Sequence, residues 1–375
     1  MRFSEIIGLD QTKQTLVNSV KGSHIAHAQL FMGKEGSGNL ALALAYATFI
    51  NCKDKQDHDS CGVCSSCTKM DKLIHPDLHF VLPTASTKKI TAKNAISKAF
   101  LKEWREFVIE NPYRTLPEWT NFIGAEDKQA SISKEESRNV VRDLSLRAFE
   151  AEYKMMFIWL PELMHPAAAN AILKILEEPP AKTLFLLVSD DSEKLLTTIL
   201  SRTQIVKIPF FSDMEIIQNL MEKFEVDNIK ATHVAHLAEG NLNEALRLSQ
   251  EVKDGSSNFF KEWMRVCFKV DFTSMASEAE NFGRLGKEAQ KSLMKYGLSI
   301  FRESLIYKYG AKDLVRLEDA ELKFIENFSK VLNETNLEEL TSLFSNSHQH
   351  IERNANAKIL FLNLSIQIAR IFRRS

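Results

Sequence analysis

No stretch of the sequence approaches the roughly 18 uninterrupted apolar residues that a membrane-crossing helix requires, so no span is expected. The first residues, Met1-Arg2-Phe3-Ser4-Glu5, carry no apolar signal region, and a cytoplasmic location is the default expectation. Glycine and proline are sparse, at 13 and 9 of 375 residues, and the abundance of Leu, Ala, Glu and Lys favours helix. A surplus of positive charge is also missing. Lys plus Arg number 48 against 49 Asp plus Glu, a net charge of −1. No global field draws such a chain onto nucleic acid, and any DNA contact has to come from a local patch.

Cysteine is scarce outside one place. Four of the five cysteines, Cys52, Cys61, Cys64 and Cys67, fall within sixteen residues with the spacing C-x8-C-x2-C-x2-C. A tight cluster in a cytosolic chain points to metal rather than disulfides. Two overlapping C-x2-C steps can wrap one ion, with Cys52 closing the tetrahedron from the end of the preceding helix. Four thiolates with no open position describe a structural Zn²⁺ site. The alternative is a reduced, metal-free loop or a redox pair. His58 and His75 lie nearby, but four sulfurs suffice. Cys267, in an apolar helical stretch, reads as a small core residue.

The other absence sits inside a motif. The apolar run Leu30-Phe31-Met32 leads into Gly33-Lys34-Glu35-Gly36-Ser37-Gly38-Asn39-Leu40, followed by a helical segment. This is the strand–loop–helix setting of the phosphate loop G-x-x-x-x-G-K-[ST], with Gly33, Gly36 and Gly38 in place. Asn39 stands where Lys should reach phosphate, and Leu40 where a hydroxyl should hold Mg²⁺. An amide and an alkyl side chain do neither. The loop has the shape of a nucleotide site without its chemistry, and Asn39 with the glycines is expected to be non-functional in phosphate binding.

Residues 1–209 alternate apolar strand-like runs with helical patterns, the mark of an α/β layer fold with a parallel sheet. Strands are expected at 29–32, 79–82, 155–160, 184–189 and 205–208, each suited to burial on both faces. Helices are expected at 9–20, 40–52, 134–147, 166–178 and 192–200, the third opened by a Ser133/Glu136 capping box. Residues from about 84 to 130, Lys-rich and then aromatic, interrupt the alternation and read as an insertion packed on the domain surface. Asp213 can cap a helix at the start of a small helical unit over 210–252, and residues 253–375 have helical periodicity almost throughout.

Several patterns now coincide: His24-Ile25-Ala26-His27-Ala28-Gln29 before the loop, the four cysteines, His75-Pro76-Asp77-Leu78, the run from Ala167 to Pro180 ending Leu176-Glu177-Glu178-Pro179-Pro180, and Leu200-Ser201-Arg202-Thr203. Together they resemble the bacterial replicative clamp loader, a branch of the AAA+ family. The resemblance implies an α/β AAA+ nucleotide-binding domain, a small helical lid and an all-α collar that holds five subunits in a ring. Motor subunits of that family carry Lys-Thr in the loop and an Asp-Glu pair after a strand; here Phe157-Ile158 runs into Trp159-Leu160-Pro161. Gly240-Asn241-Leu242-Asn243 offers no Arg at the expected sensor position. The resemblance is therefore to the ring member that does not hydrolyse ATP.

Ser201-Arg202-Thr203 matches the family's Ser-Arg-Cys motif, with Thr in the last place. The resemblance implies that Arg202 reaches the γ-phosphate of ATP held by a neighbouring subunit, with Ser201 and Thr203 beside it. An always-charged planar fork suits that task; the bland alternative is an ordinary surface ion pair. Implied partners are the motor subunits (gamma/tau), the delta subunit, the sliding clamp indirectly, and primer–template DNA through the assembled complex. Two other classes compete. One is an active AAA+ motor with an atypical loop, and the other is a free-standing DNA-binding protein.

Overall fold

The computed structural model describes residues 1–126, 128–145, 147–251, 255–309 and 319–374. The chain divides into two compact units, Met1–Asn219 with Gly240–Glu244, and Leu220–Glu239 with Ala245–Ser375. Residues 210–252 are shared between them, and the expected boundary at 252–253 lies outside the described residues.

In the first unit, five apolar runs form strands β1 (Ala28–Met32), β2 (Leu78–Val81), β3 (Lys154–Trp159), β4 (Thr183–Ser189) and β5 (Gln204–Lys207). All pair in parallel in the order β2-β3-β4-β1-β5. Every residue of β3 and β4 is buried, as expected where both faces of a parallel sheet are covered. β5 departs from that expectation. Gln204, Ile205 and Lys207 are exposed, whereas the other edge strand, β2, is largely buried.

The helices of the α/β part are α1 (Asp10–Lys21), α2 (Asn39–Ile50), α3 (Ser65–Asp71), α4 (Leu101–Glu110), α5 (Leu116–Phe122), α6 (Lys134–Ser145), α7 (Pro166–Glu177) and α8 (Thr197–Leu200). α2 is buried along its whole length and packs on β1 and β4. Val140 and Leu144 of α6 and Ile172 and Leu176 of α7 join Leu30, Ile158, Phe185 and Leu187 of the sheet in one core. The helix expected at 192–200 is broken. A 3₁₀ turn at Ser192–Lys194 gives way to extended Leu195 and Leu196 before α8, because Leu195 turns inward and is buried. The carboxylate of Glu136, expected in a capping box, accepts the Ser97 N–H at 2.8 Å.

Residues 84–130 leave and return at a two-way backbone bridge between Thr84 and Ser131. They do not simply rest on the surface. Trp104 of α4 and Trp119 of α5 are fully buried, and the Trp104 ring lies 4.9 Å from that of Trp159 at the end of β3. Phe107 and Phe80 complete this aromatic cluster.

Helices α9 (Asp213–Phe224), α10 (Asn228–Ala238) and α11 (Leu242–Glu251) follow. α9 is capped by Ser212 rather than Asp213: the Ser212 hydroxyl accepts from the Glu215 N–H, and the Glu215 carboxylate accepts the Ser212 N–H at 2.7 Å. The rest of the second unit is α12 (Gly255–Lys269), α13 (Phe272–Arg284), α14 (Lys287–Lys308), α15 (Asp319–Val331), α16 (Glu334–Glu352) and α17 (Ala357–Arg373). Their core is aromatic. The Trp263 ring stacks 4.2 Å from Phe361, and its Nε1–H donates to Ser365 Oγ at 2.8 Å. Cys267 is buried in this core, and burial pushes its thiol up to about 12. Among the described residues no helix is long and apolar enough to cross a membrane.

Candidate functional site

Crossing from β1 to β2 skips two strands, so the carboxyl ends of β1, β3, β4 and β5 open onto one crevice, the usual ligand position in such a sheet. The segments leaving these strands line a cavity of about 1190 Å³. Gly33 to Gly38 follow β1 there, and Gly38 adopts the left-handed conformation that starts α2. Gly36 has φ +76°, and a Cβ at that position would overlap the Asn241 side chain. Leu242 N–H donates to Gly36 O at 3.1 Å, which ties the loop to 241–242. Only glycine meets both demands there.

The fold of the phosphate loop is thus present, and Asn39 fills it from within. Its Nδ2 donates to Gly33 O (3.1 Å), Ser189 O (3.3 Å) and Asp190 Oδ1 (2.8 Å), while its Oδ1 accepts the Leu40 N–H at 2.8 Å. Leu40 is buried. No side chain of these two residues is left to hold a phosphate or Mg²⁺.

The structure adds two acids that the sequence reading missed. Glu162, just past β3, and Asp190, just past β4, both line the cavity. Glu162 Oε1 accepts the N–H of Asp190 (3.0 Å) and of Asp191 (3.3 Å). Burial pushes the Asp190 carboxyl up to about 7, against the Asn39 hydrogen bond and with repulsion from Glu162 and Glu35. Burial also raises Glu162. Carboxylates are ordinary Mg²⁺ ligands, but here Glu162 Oε1 is engaged by the Asp190 and Asp191 N–H groups and Asp190 Oδ1 by the Asn39 amide. Their meeting was invisible in sequence because it depends on β3 and β4 lying side by side. Trp159 ends β3 buried in the aromatic cluster of the 84–130 segment, so an indole occupies the place expected for metal-holding acids.

Asn241 Oδ1 caps α11 by accepting the Glu244 N–H at 2.9 Å. Asn243 Nδ2 donates to Glu118 at 2.8 Å. Both sensor-region amides serve the scaffold.

Arg202 follows α8 and is not among the described residues lining the cavity. Its guanidinium pairs with Glu177 at the end of α7 (2.6 and 2.9 Å) and donates to Thr198 O at 3.0 Å and Ser201 Oγ at 3.3 Å. The side chain stays 34% exposed, although Nε, Nη1 and Nη2 each have a partner within the chain. Ser201 and Thr203 hydroxyls donate to backbone carbonyls of α8 and shape the turn that carries Arg202.

The four clustered cysteines come together. All four Sγ atoms lie within 4.8 Å of one another, with Cys52–Cys61 at 3.6 Å and Cys61–Cys67 at 3.9 Å. A tetrahedron of roughly 2.3 Å Zn–S bonds separates its sulfurs by about 3.8 Å. All five cysteines are free of disulfides. Backbone N–H groups of Cys61, Cys64 and Cys67 point at the sulfurs of Cys52, Cys61 and Cys64. Against a desolvation that raises it, N–H donors bring the Cys64 thiol down to about 6. The geometry and donor set fit a closed four-sulfur metal site. His75 is occupied elsewhere: its Nδ1 accepts the Asp77 N–H at 3.2 Å, and its Nε2 lies 3.5 Å from Glu150.

Comparison with known proteins follows the same lines. Residues 8–212 match the family described as "DNA polymerase III, delta subunit". The chain is 27% identical over 235 residues to the DNA polymerase III subunit delta' of Bacillus subtilis (strain 168), covering 63% of this chain and 57% of that one. It is 22% identical over 391 residues to DNA polymerase III subunit tau of the same organism, covering 96% of this chain and 60% of tau. The chain thus spans less than two thirds of the length of these relatives. A crystal structure of a gamma subunit-related protein from Thermotoga maritima aligns with 96% of this chain and 100% of its own, at 14% identity and TM-score 0.40.

Proposed function

The chain belongs to the DNA polymerase III delta-subunit family, and on that premise we propose that it is a delta-prime-like clamp-loader subunit that does not hydrolyse ATP. It completes a neighbour's ATP site with Arg202 and helps load the sliding clamp onto primed DNA. In this reading residues 210–252 act as lid and 253–375 as collar. The observation that carries the proposal is Asn39: its amide is spent on Gly33, Ser189 and Asp190 inside a loop that keeps its glycines. Buried Leu40 and the indole of Trp159, at positions where a hydroxyl and an acid would hold Mg²⁺, support it. Partners on this reading are gamma/tau and delta subunits, the clamp and primer–template DNA.

The Cys52, Cys61, Cys64 and Cys67 site holds structural zinc in this reading. Zinc would contribute charge and geometry to the fold and nothing to phosphate chemistry. ATP would be bound by the neighbour.

The rival reading is an active motor subunit with an atypical loop. Incubation of the purified chain with Mg-ATP separates the two. We expect no turnover, and none after Asn39→Lys alone, because Leu40 and Trp159 still offer the metal nothing. Turnover by the wild-type chain that is abolished by a change in its own loop would establish the motor instead.

A further inference from the structure

The helical unit carries a groove that no step of clamp-loader ATP chemistry uses. It lies between α12 and α15, encloses about 540 Å³, and is closed at one end by Phe372 of α17. Its floor is a line of four rings. Phe268 lies 6.0 Å from Phe372, Phe372 lies 6.1 Å from Phe328, and Phe328 stacks 5.2 Å from Phe324. Phe268 is 56% exposed and continues the apolar surface of the groove to solvent.

Among the described lining residues every charge is positive. Lys261, Arg265 and Lys269 recur at four-residue intervals on α12, and Lys323 stands opposite on α15. Lys261 Nζ sits 5.9 Å over the Phe324 ring. No carboxylate is among the described lining residues; Glu262 pairs with Arg265 from α12 without lining the groove. In a chain of net charge −1, the four cations among the described lining residues, of which Arg265 also pairs with Glu262, are a local feature.

From this charge pattern we infer that the groove docks an amphipathic helix of a partner protein, with an apolar stripe flanked by Asp and Glu. A trough between two helices accepts a third helix whose apolar residues repeat at i, i+3, i+4 and i+7. Rim carboxylates then meet the four cations, which fix direction and speed encounter. Single-stranded nucleic acid fits less well. Base stacking needs open ring faces, and Phe328 and Phe372 are only 8% and 7% exposed.

The test is a displayed library of helical peptides, with leucine fixed at the four stripe positions and random flanks, selected on the full chain. Enriched peptides are synthesised and titrated by fluorescence anisotropy. Two variants serve as controls, each checked for native helicity: the combined Lys261→Gln, Arg265→Gln, Lys269→Gln, and the single Phe268→Ser. We expect Asp and Glu to enrich in the flanks, binding to weaken with added salt, and each variant to lose roughly tenfold or more in affinity. Neutral or basic flanks, no enrichment, or equal binding to wild type and both variants would overturn the inference. So would a fluorescent oligothymidylate that binds the wild type and is released by the same variants, which would give the groove to nucleic acid.

Discussion

Asn39 and Asp190 form a hydrogen-bonded pair where a phosphate loop normally keeps a lysine, and the pair has a pH signature. The Asp190 carboxyl titrates near 7 in the folded chain against an ordinary value of 3.8, because burial and the nearby acids disfavour its charge. Between these values the folded state binds a proton that the unfolded state has released. Stability from this group is therefore full below about pH 4 and is lost as pH rises through 7. Asp190→Asn keeps an acceptor for Asn39 and removes the titration. Its melting temperature should exceed that of wild type at pH 8, with the gap closing toward pH 5. A gap independent of pH would place the Asp190 charge in solvent. Arg202 makes a different forecast. Its pairing with Glu177 is partly exposed, and such pairs contribute about 0–1 kcal/mol. Arg202→Ala should shift the chain's denaturation free energy by no more than that. A loss of several kcal/mol would make Arg202 a structural residue.

At the scale of elements, the packing of α14 and of the 84–130 segment can be tested directly. Gly297 sits in the middle of α14, where alanine would gain roughly 1 kcal/mol of helix propensity. A Cβ there would overlap the Phe344 ring and lie 3.0 Å from Phe260, both fully buried. Neither ring can move freely, so Gly297→Ala should destabilise by about 1–3 kcal/mol in denaturant titrations. Trp159→Asp, which puts an acid where a motor subunit would carry one, removes a ring from among Trp104, Phe107 and Trp119. It should cost at least the roughly 3–5 kcal/mol of a tryptophan truncation, and should create no ATPase. In the cysteine module, Cys64→Ser or chelation should raise hydrogen exchange across 52–67 and leave α12 to α17 unchanged. Metal analysis should find about one zinc per chain with four sulfur ligands. A folded protein with no metal and four titratable thiols would contradict that assignment.

The elements also show what sequence alone could reveal. Strands β1 to β5 lie within about a residue of their expected positions, and for β1 to β4 the reason is that buried parallel strands are short apolar runs bounded by polar residues. The cysteine quartet was legible because its ligands are close in sequence. The pairing of Trp159 with Trp104 and Trp119 was not, since periodicity records which residues are buried but not against what. Glu162 and Asp190 were hidden for the same reason. Each looks like a loop acid until β3 and β4 are set side by side. Exposure of β5 was not legible either, and edge position alone does not set it, since β2 at the other edge is largely buried.

On the scale of the whole molecule, an α/β fold carries a glycine loop filled by its own amide and, elsewhere, a partly exposed arginine fork paired with Glu177. On the proposed reading this combination serves a subunit that holds ATP, so the decisive experiment uses the assembly. Complexes are reconstituted from gamma/tau, delta and this chain, either wild type or Arg202→Ala, and checked for equal assembly. ATP hydrolysis stimulated by clamp and primed DNA is then compared. An arginine finger contributes roughly 10³–10⁵ to the rate at the site it serves. The Arg202→Ala complex should therefore lose turnover at the adjoining site and load clamps more slowly, with Arg202→Lys rescuing poorly because an ammonium lacks the planar fork. Equal hydrolysis rates at equal assembly would contradict the role assigned to Arg202 and leave the chain a scaffold alone.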